Sequence, residues 1–401
     1  MNSMDNPSQI NRRLSIATFI TSIGDWISYF ALIAFIYRST GNAVLAAYVV
    51  PVRSLSVAVG GAMVPYIFRW FDLKHLILLS QFLSSLILVV LIGLITTTSS
   101  PNPYLIIFLV FINTLLKQFF DTARESYSKD LSLTHQQRSA QAEILQGLYG
   151  AQFLGPLIAV AGLLVIPIWV LLLLDAISFI GSGIVCMNLP LKKTTYPTSL
   201  FRPIGYLFQT NGLAAIFFIR SIGFWIPISI MNIALFSITT TRFGSAIENT
   251  ALFYAATGFG SLVASVLLHT NRLRISNHLK NLSDAKIAAI ALSLLALTRI
   301  AVLHVPTFIG ALGIFIITGL CNGSNAVTSQ SLRRKLTTQQ QFPEIVGLEI
   351  VVGKITDWLA ATIFALLIAN GIITYETAVL ISAILLIPLA LAHVIPSLRN
   401  R

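Results

Sequence analysis

The sequence has few charged residues, and acidic residues are the scarcest. Of 401 residues, 10% are Asp, Glu, Lys or Arg and only 14 are Asp or Glu, whereas a soluble domain carries roughly 25% charged residues. Such a composition cannot supply the polar surface of a water-soluble protein of this length. The two cysteines, Cys186 and Cys321, are too few for a disulfide framework. Neither has a His or Cys at metal-ligand spacing, so we expect no metal and no cofactor.

Long apolar runs take up most of the chain. Hydrophobic residues make up 56% of it and the mean hydropathy is +0.83. Each run approaches or exceeds the ~20 residues that cross a bilayer as a helix, the form that satisfies the backbone in lipid. We predict an all-α membrane protein with twelve transmembrane helices at 14–37, 44–68, 75–97, 104–121, 140–166, 167–189, 211–236, 249–269, 287–303, 306–330, 344–370 and 374–395. The boundary at Val165-Ile166-Pro167 requires a tight turn, and one long helix is the alternative there.

The net charge of +12 is distributed unevenly among the loops. On one side of the predicted spans lie nineteen of the 26 basic residues, and the opposite loops hold only Arg38 and Arg242. The positive-inside rule then predicts a multi-pass protein of the bacterial inner membrane with both termini in the cytoplasm. Arg12-Arg13 precedes a full-length span without a small-residue cleavage site, so we expect no cleaved signal peptide. The basic charge sets topology, and we expect no nucleic-acid partner.

An internal repeat relates the first and seventh predicted spans. Ser22-Ile23-Gly24-Asp25-Trp26-Ile27 matches Ser221-Ile222-Gly223-Phe224-Trp225-Ile226 at five of six positions, with an offset of 199 (221 minus 22). Chance similarity between apolar segments is the alternative to a duplication. We predict an N-terminal six-helix bundle (1–189), a polar cytoplasmic linker (190–210) and a C-terminal six-helix bundle (211–401). Parallel repeats of this kind place a substrate site between the halves, near the bilayer midplane.

Short motifs in a characteristic order resemble the major facilitator superfamily, in particular its branch of enterobactin exporters and macrolide-efflux proteins. The matching elements are Gly24-Asp25-Trp26, Arg53, Phe119-Phe120-Asp121-Thr122-Ala123-Arg124 with Asp130-Leu131, Gly155-Pro156 and Asp175-Ala176-Ile177-Ser178-Phe179. The resemblance implies two pseudo-symmetric six-helix bundles and export of a siderophore or an amphiphilic drug.

The chain departs from that family in two motifs. Arg69 stands in the place of the gating aspartate between helices two and three, and Asp72 is a candidate substitute. By the resemblance, the cytoplasmic gate comprises Arg69, Asp72, Lys74 and Arg124. In the fifth-helix motif associated with export, Ala159-Val160 stands where glycines are usual, which leaves uptake open as the alternative direction.

Ionisable residues within spans are the candidate site, because each costs roughly 3 kcal/mol at mid-helix and needs a partner or a wet cavity. Counting from the flanking arginines, Asp25 and Arg53 differ in height by about 6 Å, so we expect them to form an ion pair. Lys354 and Asp357 share a helix face, so they either pair with one another or leave Lys354 to line an anion-binding cavity with Arg53 and Arg220. Four ionisable residues lie nearer span ends, where they are expected to reach solvent: Lys117, Glu143, Glu349 and Arg299. The predicted substrate and proton pathway comprises Asp25, Trp26, Arg53, Lys117, Arg220, Trp225, Asn322, Asn325, Lys354 and Asp357. Trp26 and Trp225 are candidates for cavity walls or for packing, and Asp175 for a structural role.

These features predict a proton-coupled secondary transporter that works as a monomer. The resemblance implies a siderophore or an amphiphilic drug as the solute, and the surplus of cations over carboxylates in the predicted pathway favours a siderophore, particularly one with carboxylates. Multidrug or macrolide efflux is the alternative. A membrane-embedded enzyme would need clustered catalytic groups, whereas all six histidines fall at span ends or in loops. A channel would rarely combine a two-fold duplication with paired charges at the midplane.

Overall fold

The computed structural model describes residues 7–41, 49–98, 101–131, 137–191, 202–210, 212–244, 247–269, 282–338 and 341–393, and within these ranges it is helical. The long helices are α1 (Pro7–Thr40), α2 (Val49–Trp70), α3 (Leu73–Thr97), α4 (Pro103–Leu131), α5 (Gln137–Val165), α6 (Ile168–Cys186), α7 (Leu213–Phe243), α8 (Ile247–His269), α9 (Asp284–His304), α10 (Phe308–Leu336), α11 (Phe342–Ala369) and α12 (Tyr375–Ala392). A short helix at Arg202–Gln209 precedes α7.

Nearly all the long helices can cross a membrane. Eleven of those in the described ranges are long and apolar enough to do so, and α2, which is described only from Val49 onward, adds the apolar stretch Val49–Val64. The chain is therefore a multi-pass membrane protein, as the composition predicts. Large apolar side chains such as Phe82 and Leu297 lie exposed on α3 and α9, which is the expected surface against lipid.

Several helices are longer than their predicted spans. The clearest example is α4, which is predicted at 104–121 and continues to Leu131. The additional turns carry charged side chains, because a helix continues into the polar phase beyond the apolar run that fixes its length in lipid. Similar extensions of α1 and α10 lie at the same end of the bundle, which we call the basic end: it is where α2, α4 and α10 finish and α3, α5 and α11 begin.

The break between α5 and α6 is real. Helix α5 ends at Val165, and Pro167 precedes the first residue of α6 with φ −62° and ψ 147°. Proline has no backbone N–H and disfavours helical backbone at the residue before it, so one continuous helix is excluded.

Helix packing repeats itself along the chain. In the first half α1 packs on α5 and α6, α3 on α4 and α6, and α2 on α4. Adding six to each number gives the pairs of the second half: α7 on α11 and α12, α9 on α10 and α12, and α8 on α10. The halves meet along two seams, α2 with α11 and α5 with α8. These seams are equivalent, because α8 corresponds to α2 and α11 corresponds to α5 in the repeat. The domain boundaries stay a prediction, and residues 192–201 of the predicted linker lie outside the described ranges.

Small residues allow the helices to approach closely at both seams. A Cβ atom added to Gly61 on α2 would lie 2.9 Å from the Ile350 side chain and 3.2 Å from the Gly347 carbonyl oxygen on α11. A Cβ added to Gly258 on α8 would lie 2.5 Å from the backbone nitrogen of Phe153 on α5. Larger side chains at these glycines would push the halves apart.

Candidate functional site

An ion pair inside the first half joins α1 to α4. The Lys117 ammonium contacts the Asp25 carboxylate, and Asp25 is 5% exposed, so the expectation that Lys117 reaches solvent is wrong. The expected pair between Asp25 and Arg53 is wrong: the Arg53 guanidinium lies over the Tyr29 ring instead, 5.1 Å from its centroid. The sequence estimate compared heights only, and the rotation of each helix decides which side chain meets Asp25.

A small polar cavity lies beside this ion pair. Asp25, Ser28, Arg53, Asn113 and Thr114 supply its polar lining, and its volume is about 10 Å³. That is room for about one water molecule. The Asn113 Oδ1 atom is buried without a hydrogen-bond partner. In this conformation the structure therefore closes around the pair and leaves no room here for an organic solute.

Asp175 on α6 is a second buried carboxylate next to Asp25. It is fully buried and accepts a hydrogen bond from the Ser178 hydroxyl at 3.2 Å, while its Oδ2 atom has no partner. The carboxylate lies against Gly24 of α1, where any side chain would collide with Asp175 and Ser178. The glycine before Asp25 thus allows α6 to approach α1, and a role in packing accounts for Asp175.

The two repeated tryptophans occupy equivalent places. Trp26 on α1 packs on Gly155 of α5, and Trp225 on α7 packs on Gly353 of α11. The offsets are 199 and 198 residues (225 minus 26, 353 minus 155), so the duplication includes the surface that receives each ring. Trp26 also contacts the other half, because its ring lies 5.4 Å from that of Tyr254 on α8.

A cluster of charges joins α7, α10, α11 and α4. The Arg220 guanidinium donates to Glu349 Oε1 at 2.7 Å, and Arg333 donates to the same oxygen at 3.2 Å. Arg333 also reaches across the halves to Glu125 at 3.0 Å. Arg220 lies in a π-helical turn, Ile219–Gly223, a feature frequent at functional sites. Neither Arg220 nor Glu349 lies free: Glu349 is 5% exposed, so the expectation that it reaches solvent is wrong.

The predicted pair on α11 is present. The Lys354 ammonium lies 3.1 Å from the Asp357 carboxylate and 3.6 Å from the Trp225 ring centroid. Asp357 also accepts hydrogen bonds from Ser229 of α7 and, at 3.1 Å, from Ser54 of α2. Asp357 therefore links both halves, and its charge is compensated by an ammonium and two hydroxyls.

The two asparagines of α10 lie in the core of the second half. Asn325 is buried and Asn322 half-buried, and the Oδ1 atom of each has no hydrogen-bond partner. Gly319 and Gly323 of the same helix pack against α8. The asparagines therefore supply unused acceptors beside a close helix contact, which leaves their place in the pathway a prediction.

At the basic end, polar contacts fasten the halves together. The Lys129 ammonium donates to the carbonyl oxygens of Thr337 and Thr338 at 2.9 and 2.8 Å, so a lysine of α4 caps the C-terminus of α10. Arg138 of α5 pairs with the buried Asp284 of α9. Together with the Glu125–Arg333 pair, these contacts form what we call the basic-end latch.

The predicted cytoplasmic gate residues lie at the basic end, but their contacts stay within the first half. Arg69 is exposed beside the Trp70 ring, Lys74 is half-buried, and Arg124 pairs with Asp121 at 3.0 Å. Asp72 caps α3. Burial opposes the ionisation of Asp72, but hydrogen bonds from the backbone N–H and the ring of His75 hold the pKa of Asp72 below its ordinary value.

Sequence reasoning missed the residues that do contact across the basic end. Glu125, Lys129 and Arg138 lie within ten residues of the helix ends at Leu131 and Gln137, and Arg333 belongs to the basic run at the end of α10. The available indication was that Glu125 and Arg333 carry opposite charges and lie next to corresponding loops of the two halves, the α4–α5 loop and the α10–α11 loop. Pairing them requires knowledge of which helices meet, which sequence spacing does not contain.

Arg299 on α9 is a second residue that sequence reasoning misplaced. It was expected to reach solvent, but it is 4% exposed and its Nε atom has no hydrogen-bond partner. Within the described part of the chain it forms no ion pair. A buried charge without a partner costs several kcal/mol.

Comparisons with solved structures identify the fold. A crystal structure of a bacterial homologue of the iron transporter ferroportin in an outward-facing state aligns over 96% of this chain and 98% of that chain, with a TM-score of 0.67 and 12% identity. The human organic anion transporter MFSD10 (TETRAN) aligns over 96% of this chain and 99% of that chain, with a TM-score of 0.70 and 12% identity. No protein-family model and no curated protein sequence matches the chain. The near-complete coverage of both structures confirms the predicted fold class, twelve helices in the major facilitator fold.

Proposed function

We propose that the chain is a secondary active transporter that moves a small organic anion, a siderophore with carboxylates, across the bacterial inner membrane by proton-coupled alternating access. The observation that carries the proposal is the Arg53 guanidinium, which forms no ion pair or hydrogen bond within the described residues and lines the cavity beside Asp25 and Lys117. A permanently charged guanidinium in a low-dielectric interior attracts a carboxylate strongly. Arg220 and Lys354, by contrast, already have carboxylate partners.

Alternating access requires closures on both sides of such a site, and the contacts between the halves are consistent with this. The basic-end latch closes one side, and Trp26 and Phe30 close the other with Tyr254, whose ring centroid lies 6.5 Å from that of Phe30. The solved neighbours support the proposal, since one is named for an outward-facing state and the other for organic anion transport. We place the basic end in the cytoplasm on the positive-inside rule.

The Asp25–Lys117 pair supplies the proton coupling in this proposal. Protonation of Asp25 would neutralise the carboxylate and free the Lys117 ammonium for the anion, and an anion bound to Lys117 would in turn favour protonation. Such mutual support gives cotransport of anion and proton, which drives uptake under an inward proton gradient. The family resemblance favours export, which requires that proton and solute exclude each other. The mechanism through Asp25 and Lys117 thus favours uptake over the export that the resemblance implies, and the direction of flux distinguishes the two.

Multidrug or macrolide efflux is the second candidate. The ring centroids of Trp26 and Tyr29 lie 5.8 Å apart, and those of Tyr29 and Phe30 lie 5.1 Å apart, next to Tyr254 of the other half. An aromatic surface at the seam suits an amphiphilic ring compound more than a hydrophilic siderophore.

The test compares a deletion strain with the parent for uptake and secretion of a radiolabelled carboxylate siderophore and for macrolide susceptibility. We expect the deletion to reduce siderophore flux in one direction, and plasmid-borne protein to restore it. An Arg53→Gln variant should fail to restore flux, whereas Arg38→Gln, which alters an exposed arginine at the end of α1, should restore it. Unchanged siderophore flux with changed macrolide susceptibility would refute the siderophore proposal and support efflux.

A further inference from the structure

Two cations flank the turn between α2 and α3 at the basic end. Within the described residues the side chains of Arg69 and Lys74 form no ion pair or hydrogen bond, and the Arg69 guanidinium lies exposed, 5.9 Å from the centroid of the Trp70 ring. The acidic residue between them is already engaged, because Asp72 accepts hydrogen bonds from the backbone N–H and the ring of His75 and its side chain is 13% exposed. The turn therefore presents positive charge at the surface, and the contacts between the halves do not use it.

An open apolar groove begins at this turn and follows one face of α3. Its volume is about 420 Å³, and its lining residues are Phe71, His75, Leu78, Leu79 and Phe82. The four residues on the helix are three, four or seven positions apart, so they share one face, and other residues of α3 are the buried ones. From His75 to Phe82 the groove extends about 10 Å along the helix axis. It therefore leads from the level of the lipid headgroups into the hydrocarbon of that leaflet.

The two cations lie at the head of the groove. Lys74 is four residues before Leu78 on α3, and residues at this spacing are neighbours on a helix surface. Arg69 is two residues before Phe71, whose backbone N–H still makes an α-helical hydrogen bond of 3.1 Å at the end of α2. The Trp70 ring between them is 78% exposed, as is usual for tryptophan at a membrane–water interface. Cationic, interfacial and apolar groups thus follow one another in the order of a phospholipid molecule, from its phosphate to its acyl chain.

We propose that Arg69, Lys74 and the groove along α3 bind an anionic phospholipid of the leaflet at the basic end, with its phosphate on the two cations and one acyl chain in the groove. Guanidinium and ammonium groups donate charge-assisted hydrogen bonds to phosphate oxygens. The groove adds the burial of apolar surface, which a free phosphate lacks. The site shares no residue with the cavity beside Asp25, so it is separate from the proposed solute path. It also gives Arg69 a role, since an aspartate at that position would repel the same headgroup.

The experiment measures the lipids bound to the full chain by native mass spectrometry in a neutral detergent. The probes are phosphatidylglycerol and phosphatidylcholine with identical acyl chains, and glycerol 3-phosphate as a headgroup without chains. We expect the first phosphatidylglycerol to bind at least tenfold more tightly than the first phosphatidylcholine, and glycerol 3-phosphate not to bind at the same concentrations.

Variants at the head of the groove and along it test the two parts of the site. Arg69→Gln and Lys74→Gln should each weaken the binding of the first phosphatidylglycerol about fivefold, the usual contribution of one basic residue at an anionic membrane surface. Phe82→Ala removes part of the groove wall and should weaken the binding of both lipids. The matched control is Lys286→Gln, which removes an exposed cation from the first turn of α9, the counterpart of α3 in the second half, and should leave binding unchanged.

Thermal unfolding in the same detergent separates lost binding from damage to the fold. Without lipid, all four variants should unfold near the temperature of the wild type, and phosphatidylglycerol should raise that temperature more in the wild type and Lys286→Gln than in Arg69→Gln. Three results would overturn the proposal: equal binding of the two lipids, a preference for phosphatidylglycerol that survives the combined Arg69→Gln and Lys74→Gln variant, and an equal loss in Lys286→Gln. Glycerol 3-phosphate that binds as tightly as phosphatidylglycerol would also overturn it, because the groove would then contribute nothing. None of these measurements involves solute transport, so their failure leaves the proposed function standing.

Discussion

Weakening the basic-end latch should open the basic end of the molecule. In Glu125→Gln, Arg333 loses the charged partner 3.0 Å away but keeps Glu349 at 3.2 Å. A hydrogen bond to a charged group contributes about 1.5–3 kcal/mol, so we take about 2 kcal/mol for the loss. That corresponds to a roughly 30-fold change in the equilibrium between closed and open forms. An open form populated at about 1% would therefore rise to about a fifth of the molecules.

Double electron–electron resonance can measure this change. Nitroxides would replace the exposed side chains of Arg12 on α1 and Lys286 on α9, in a background where the buried Cys186 and Cys321 are serine. We expect a second, longer distance in Glu125→Gln that is nearly absent in the parent. The control is Glu248→Gln, which removes an exposed carboxylate at the opposite end. An unchanged distance distribution in Glu125→Gln, or the same change in Glu248→Gln, would refute the reasoning.

Three further outcomes test separate parts of the structure. Asp25→Asn leaves the Lys117 ammonium buried without its partner, so we expect a loss of about 3–5 kcal/mol of stability in nanodiscs and no pH-gradient-driven transport in proteoliposomes; coupling that survives would remove Asp25 from the proton path. Asp72→Ala should lose about 1 kcal/mol, the usual contribution of a helix N-cap. Because the folded-state pKa of Asp72 is lowered, this contribution is present above the ordinary carboxyl pKa and is lost as the pH falls through the folded value, so the difference in unfolding temperature between variant and wild type should be full at pH 7 and should shrink steadily as the pH is lowered below the ordinary carboxyl pKa. Gly258→Leu should destabilise the α5–α8 seam by about 1–3 kcal/mol, whereas Gly93→Leu, where the added side chain meets open space, should not; equal unfolding temperatures for the two would contradict the close seam.

Local information in the sequence was sufficient for much of the fold. Apolar run lengths and turn residues place the helices, and Pro167 places the break between α5 and α6. The Lys354–Asp357 pair was also predictable, because residues three apart on one helix share a face whatever surrounds them. The equivalent placement of Trp26 and Trp225 was predictable as well, because corresponding positions of the two repeats pack against corresponding helices.

Contacts between distant helices were beyond that information. Asp25 meets Lys117, which lies 92 positions away, and Arg220 meets Glu349, 129 positions away. Helical rise gives the height of each side chain, but the partner depends on the rotation of both helices and on which helices pack together. Arg299 shows the same limit: it lies five residues from a helix end, and its direction into the core makes it buried.

The most direct test of the account is whether the polar cavity can be reached from outside the membrane. Asn113 lines it, and the measurement is labelling of the Asn113→Cys variant by a membrane-impermeant maleimide in oriented vesicles, in the background where Cys186 and Cys321 are serine. We expect labelling from the side opposite the basic end, protection by an added dicarboxylate, and labelling from the basic side when Glu125→Gln is also present. A folded Asn113→Cys variant that reacts from neither side, with or without the weakened latch, would show that these charges lie in dry helix contacts and would contradict transport through this site.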